Sequence, residues 1–133
     1  MAHAIAGYDG PCRHIHGHSY VLHVTIKSDN LHDEYIPAPG MIFDFKQLKA
    51  IVNSGIIQQL DHKLVLSNDF LAGYKGIING DNLVVWDMEP TAENMLIFMQ
   101  RCIKDMLPEG LGLATLKLYE TKDSYAEWTP GTA

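Results

Sequence analysis

Cysteine is scarce in this 133-residue chain, which holds only Cys12 and Cys102. They stand far apart, one in a histidine-rich stretch and the other on an apolar helical stripe, which argues against a disulfide scaffold and favours a reducing compartment. Long hydrophobic runs are missing too. No apolar stretch approaches the ~18 residues of a transmembrane helix and no signal-peptide pattern is present, so a soluble, cytoplasmic protein is expected, with no membrane partner. Positive charge is low. Ten Lys and Arg against 16 Asp and Glu give a formal charge of -6 without a basic cluster. That balance argues against nucleic acid as a partner and leaves any anionic substrate to a local basic pocket. Repeats and low-complexity tracts are absent as well.

What remains suits a single domain over residues 1–133, long enough to bury roughly two-thirds of its unfolded surface. Tyr20, Leu22, Val24 and Ile26 alternate with more polar neighbours and predict a strand, with His23 on its polar face. After a link containing Pro37, Pro39 and Gly40, Asp44 caps a predicted helix carrying Phe45, Leu48, Ile51 and Val52 and reaching toward Ile56 and Leu60, with Gly55 weakening it. Residues 64–88 read as irregular, with a β-like piece at Leu83 to Trp86. Thr91 caps a second helix with Met95, Leu96, Met99, Cys102, Ile103 and Met106 at helical spacing, and Pro108 and Gly110 end it. Strands at Leu113 to Glu120 and Tyr125 to Trp128 complete the order. The pattern predicts an α+β fold, two helices on one face of an antiparallel sheet whose other face is covered by further copies of the chain.

The chemistry concentrates in Cys12-Arg13-His14-Ile15-His16-Gly17-His18. If the strand that begins near Ser19 extends back through them, His16 and His18, two residues apart, leave the same face about 6–7 Å apart and can converge on one ion. A catalytic zinc site takes three protein ligands and keeps a fourth position open, and His3 is the best third ligand, reached through the turn Gly7 to Pro11. An isolated His-x-His is also compatible with solvated loop histidines. Asp61-His62 can act as a tautomer-fixed pair only in non-helical backbone; its bland reading is a histidine at a helix end. Glu120 shares parity with Ala114, Leu116 and Leu118, and a carboxylate ending an inward apolar row needs a partner, such as a ligand with two adjacent N–H donors. Thr91 and Glu93 read first as a helix start and second as ligand contacts.

Taken together, His3, Cys12-x-x-x-His16-Gly17-His18, Asp44-Phe45-x-x-Leu48, Leu60-Asp61-His62-Lys63, Pro90-Thr91-x-Glu93-Asn94 and Glu120-Thr121 resemble, in order and over nearly the whole chain, the 6-pyruvoyltetrahydropterin synthase and 6-carboxytetrahydropterin synthase family. The resemblance implies the tunnelling fold, in which subunits join their sheets into a barrel and two trimers stack into a homohexamer. It implies Zn2+ on His3, His16 and His18, and Cys12 as the proton-transfer thiol. It further implies Asp61 and His62 as the partner dyad from a neighbouring subunit, and Glu120, with Thr91 and Thr121, as the pterin contacts. The implied substrate is 7,8-dihydroneopterin triphosphate. A three-residue spacer between Cys12 and His16 resembles the bacterial 6-carboxy branch, a lyase releasing acetaldehyde and triphosphate. The alternatives are the 6-pyruvoyl product and a non-catalytic zinc- or pterin-binding oligomer. Arg13, Lys63 and Lys75 are the cations open to the triphosphate. His3 stands third in the chain, which reads either as a shortened first strand or as a Met1 internal to a longer natural chain, and the 64–88 segment reads as a lid or a surface insertion.

Overall fold

Alternation of apolar and polar residues, two helix caps and a short apolar run account for most of the architecture in the computed structural model, which describes residues 1–30 and 33–131. In chain order the strands and first helices are β1 (Ala2–His3), β2 (His16–Gly17), β3 (Val21–Ser28) and α1 (Phe45–Val52), a π-helical turn Asn53–Ile57, then α2 (Gln58–Leu60). There follow β4 (Leu64–Ser67), α3 (Asn68–Gly73), β5 (Leu83–Trp86), α4 (Ala92–Ile103), β6 (Leu111–Thr121) and β7 (Ser124–Trp128). Single 3-10 turns lie at Pro11–Arg13 and Lys104–Met106.

The expected antiparallel sheet is present as β3-β6-β7. Along β3 the side chains alternate between half-buried and exposed, with His23 on the exposed face against the Tyr119 ring at 5.3 Å. Beside it stands a second sheet of order β2-β1-β4-β5, in which β1 pairs antiparallel with β2 but β1–β4 and β4–β5 are parallel. This sheet explains why residues 64–88 read as irregular. Val65, Leu66 and Ser67 are all buried, so β4 lacks the two-residue alternation of a half-exposed strand. Ser67 then caps α3, its hydroxyl accepting from the Phe70 N–H at 2.9 Å.

Both expected helix starts are present. Asp44 accepts from the Lys46 N–H at 2.8 Å and Thr91 from the Asn94 N–H at 3.2 Å. α4 packs Met95, Leu96, Met99 and Ile103 against Leu113, Leu116 and Leu118 of β6, with Ile56, Val65 and Trp86 in the same cluster. Gly55 sits where the π-helical turn crosses this helix. A Cβ there would lie 2.7 Å from Ile103 Cγ2 and 3.0 Å from Met106 Sδ, so the glycine permits a close approach. Cys102 is half-buried against the core and accepts a weak hydrogen bond from Gln59 Nε2 at 3.8 Å. Burial pushes its thiol pKa up, opposed by that hydrogen bond.

The inward row of β6 differs from strict alternation. Thr25 pairs with Thr115 and Ile26 with Leu113, which leaves Ala114 as the extra residue of a bulge and puts Leu113, not Ala114, in the core. A second irregularity lies between Tyr119, paired with Tyr125, and Thr121, paired with Ser124. Glu120 is the residue between them.

Candidate metal centre and active site

Antiparallel pairing of β1 with β2 sets His3 directly opposite His16, and the His18 N–H returns to the Met1 carbonyl at 3.1 Å. The three imidazoles converge. One ligand nitrogen from each of His3, His16 and His18 lies within 4.8 Å of the other two. His3, only 2% exposed, has its Nδ1 2.7 Å from the Pro90 carbonyl oxygen, and His16 has its Nδ1 2.7 Å from the His14 carbonyl oxygen. A carbonyl oxygen only accepts, so both Nδ1 atoms carry the proton and the neutral rings present their Nε2 lone pairs. Those two Nε2 atoms face each other at 3.1 Å. His18 Nε2 is buried without a hydrogen-bond partner.

Two opposed lone pairs and one orphaned ring nitrogen repel or go unsatisfied in the protein alone, and a cation bound to all three relieves them together. Burial lowers the His3 pKa, the Pro90 carbonyl and Glu120 partly offset this, and His16 and His18 lower it further. A neutral ring is the form that coordinates a metal.

A cavity of about 360 Å³ opens beside the cluster, lined by His3, Cys12, Thr91, Glu93 and Glu120 among others. The thiol, one histidine of the cluster and the β6 carboxylate, far apart in sequence, thus share one space. Cys12 is half-buried in the turn Pro11–Arg13, where its carbonyl accepts from the Ile5 N–H at 2.9 Å. Asp61 and His62 follow α2 with Asp61 extended and His62 at φ 59°, so their side chains meet, Oδ1 to Nδ1 3.1 Å apart. The non-helical condition on this pair is met.

Comparison with known proteins agrees with this geometry. A family model described as 6-pyruvoyl tetrahydropterin synthase matches residues 1–130. The chain belongs to the 6-pyruvoyl tetrahydropterin synthase family. It is 34% identical over 132 residues to a 6-carboxy-5,6,7,8-tetrahydropterin synthase of Rickettsia typhi, covering 94% of this chain and 90% of that protein. A 6-pyruvoyl tetrahydrobiopterin synthase of Pongo abelii is 32% identical over 110 residues, 82% of this chain and 62% of that one. The solved 6-pyruvoyl tetrahydropterin synthase of Caenorhabditis elegans superposes with a TM-score of 0.68 at 20% identity, covering 98% of this chain and 88% of that one, which shows the shared tunnelling fold.

Within this synthase-family chain not every sequence-selected residue joins the thiol. Asp61 and His62 are exposed and line a different cavity of about 450 Å³ that includes His18 and Tyr20 but not Cys12. Thr91 lines the Cys12 cavity while also capping α4. Thr121 does not line it; its hydroxyl accepts from the Asp123 N–H at 3.3 Å and closes the β6–β7 turn. Arg13 is paired with Asp9 at 3.4 Å in a neighbouring cleft with His14, and Lys63 lies with His62 and Asn82 in another.

Tyr20 was read only as a strand residue. Its hydroxyl stands 3.3 Å from His3 Nε2 and its ring 5.3 Å from that of His18. Burial, with Glu120 and Cys12 nearby, pushes its phenol pKa far up, so it stays protonated and can donate. The signal lay in its parity: it continues the His16, His18 series.

Proposed function

We propose that this chain is a zinc-dependent lyase converting 7,8-dihydroneopterin triphosphate to 6-carboxy-5,6,7,8-tetrahydropterin with release of acetaldehyde and triphosphate. The observation that carries the reading is the single cavity shared by His3, Cys12 and Glu120. His3, His16 and His18 would hold the ion. Bound zinc supplies Lewis acidity toward the side-chain hydroxyls of the substrate. Glu120, set at a β-bulge, accepts from two adjacent N–H groups of the pterin and fixes the ring, with Thr91 beside it. Thr121, the last residue of β6, is a further proposed contact.

Cys12 acts as the base that removes a side-chain proton. Asp61 fixes the tautomer of His62, and the pair relays the proton at the Cys12 of a neighbouring copy. Their exposure and their separation from this chain's own Cys12 cavity support that arrangement; the cytoplasmic homohexamer is proposed on the family resemblance.

The 6-carboxy product is favoured by the three-residue spacer between Cys12 and His16 and by the name of the Rickettsia relative. The 6-pyruvoyl product is the second reading, favoured by the Pongo relative. A Cys12→Ala protein is expected to keep its zinc and lose about 10²–10⁴-fold in turnover, the usual contribution of a general base. Unchanged turnover would remove Cys12 from the mechanism. Zinc and pterin binding without turnover in the unsubstituted protein would leave the binding-only oligomer.

A further inference from the structure

The loop from Ala4 to Pro11 carries the chain from His3 to Cys12, and few hydrogen bonds hold it. Its own backbone closes it at Ile5 N–H to the Cys12 carbonyl, 2.9 Å, and at the 3-10 turn, where the His14 N–H donates to the Pro11 carbonyl at 3.1 Å. Ala4 is buried in the core, and among the described residues one side-chain hydrogen bond reaches the loop backbone from elsewhere in the fold. Glu89, half-buried between β5 and α4, accepts the Ala6 N–H on its Oε1 at 2.6 Å. Among the described residues no other side chain outside the loop hydrogen-bonds to its backbone.

Glu89 is itself fixed. Its carbonyl accepts from Asn94 Nδ2 at 2.9 Å and from the Thr91 N–H at 2.9 Å, so its backbone is tied to the first turn of α4. The next residue, Pro90, is buried and presents the carbonyl that orients His3. One rigid strap therefore grips both His3 and the loop of Cys12: Pro90 by its backbone, Glu89 by its side chain. A carboxylate accepting a short N–H bond is about twice as strong as a neutral pair, which suits a loop with few other restraints.

We propose that Glu89 is a positioning residue, whose carboxylate holds the Ala6 N–H and so sets the placement of the Cys12 thiol relative to the histidine cluster. It does not line the cavity that holds Cys12. The inference rests on the role given to Cys12 above. It deepens that reading by naming what aims the thiol.

The test compares Glu89→Ala and Glu89→Gln in the full-length, zinc-loaded protein. Turnover is measured together with iodoacetamide labelling, mapped by mass separately at Cys12 and Cys102. For Glu89→Ala we expect kcat to fall tenfold or more, toward the ~10²-fold that a misplacement of about 1 Å costs, with KM within about twofold. Zinc content should be unchanged, because the His3 partner is a backbone carbonyl. Labelling at Cys12 should accelerate relative to Cys102 as the loop loosens. Glu89→Gln keeps an oxygen acceptor and should restore both kcat and the labelling ratio to near the unsubstituted values.

Several results would overturn the proposal: an unchanged labelling ratio in Glu89→Ala, both cysteines accelerating together as general destabilisation requires, or Glu89→Gln behaving like Glu89→Ala. Failure of the parent reading is distinguishable. If Cys12→Ala turns over normally the thiol has no catalytic role, while the labelling ratio still reports whether Glu89 holds the loop.

Discussion

His3, His16 and His18 form a centre whose cost to the protein alone is visible atom by atom. Two Nε2 lone pairs oppose each other at 3.1 Å and a third ring nitrogen is buried without a partner. Metal binding should therefore stabilise the fold strongly. Chelator-stripped protein is expected to melt below the zinc-reloaded protein, by a margin equivalent to about 2.7 kcal/mol when free zinc is a hundredfold above its dissociation constant. His18→Ala should shrink that margin, and differential scanning calorimetry reads it directly. Equal melting of stripped and reloaded protein would mean that the cluster holds no ion. The convergence was legible in sequence because the two-residue spacing of His16 and His18 and the Gly7–Pro11 turn let His3 return beside them, although the strand expected through both histidines ends at Gly17 and resumes at Val21. The Tyr20 hydroxyl was not legible. A tyrosine heading an alternating apolar row reads as core, and only the ring geometry shows its end against His3.

Among the elements, β6 teaches the most about what periodicity misses. Its bulge at Ala114 moves Leu113 into the core, and the second irregularity places Glu120 between paired Tyr119 and Thr121. Bulges arise from pairing with a partner strand, so no count along a single strand finds them. α1 and α4 were visible because a capping residue precedes a helical apolar pattern in each. β4 was hidden because burial on both faces erases the alternation that marks a strand. Gly55 was read as a weak point of its helix and is instead a contact point. Gly55→Ala would drive a methyl group toward Ile103 and Met106, for which overpacking costs about 1–3 kcal/mol. A lowered denaturant midpoint with an unchanged m-value is the expected result. No shift would mean that Ile103 and Met106 yield freely.

At the scale of the whole molecule, Phe45 at the start of α1 is 80% exposed, and Tyr35 and Met41 on the segment before it are also uncovered, a set of large apolar side chains that suits contact with another copy. Asp61 and His62 stand exposed, away from this chain's thiol cavity. The proposed hexamer accounts for both. Native mass spectrometry should find an assembly near six times the 14.9 kDa chain mass. Mixing equal amounts of Cys12→Ala and His62→Asn chains during assembly should regenerate about a quarter of the sites, since each site draws on two copies. A monomer, or a mixture with no regained turnover, would contradict a shared site. No helix among the described residues is long and apolar enough to cross a membrane.

The reaction itself is tested most directly by incubating the zinc-loaded protein with 7,8-dihydroneopterin triphosphate and following acetaldehyde, triphosphate and the pterin by mass. The account predicts one acetaldehyde and one triphosphate for each 6-carboxy-5,6,7,8-tetrahydropterin formed. Triphosphate with 6-pyruvoyltetrahydropterin and no acetaldehyde would place the chain in the other branch, and no turnover by a folded, zinc-bound oligomer would contradict the account.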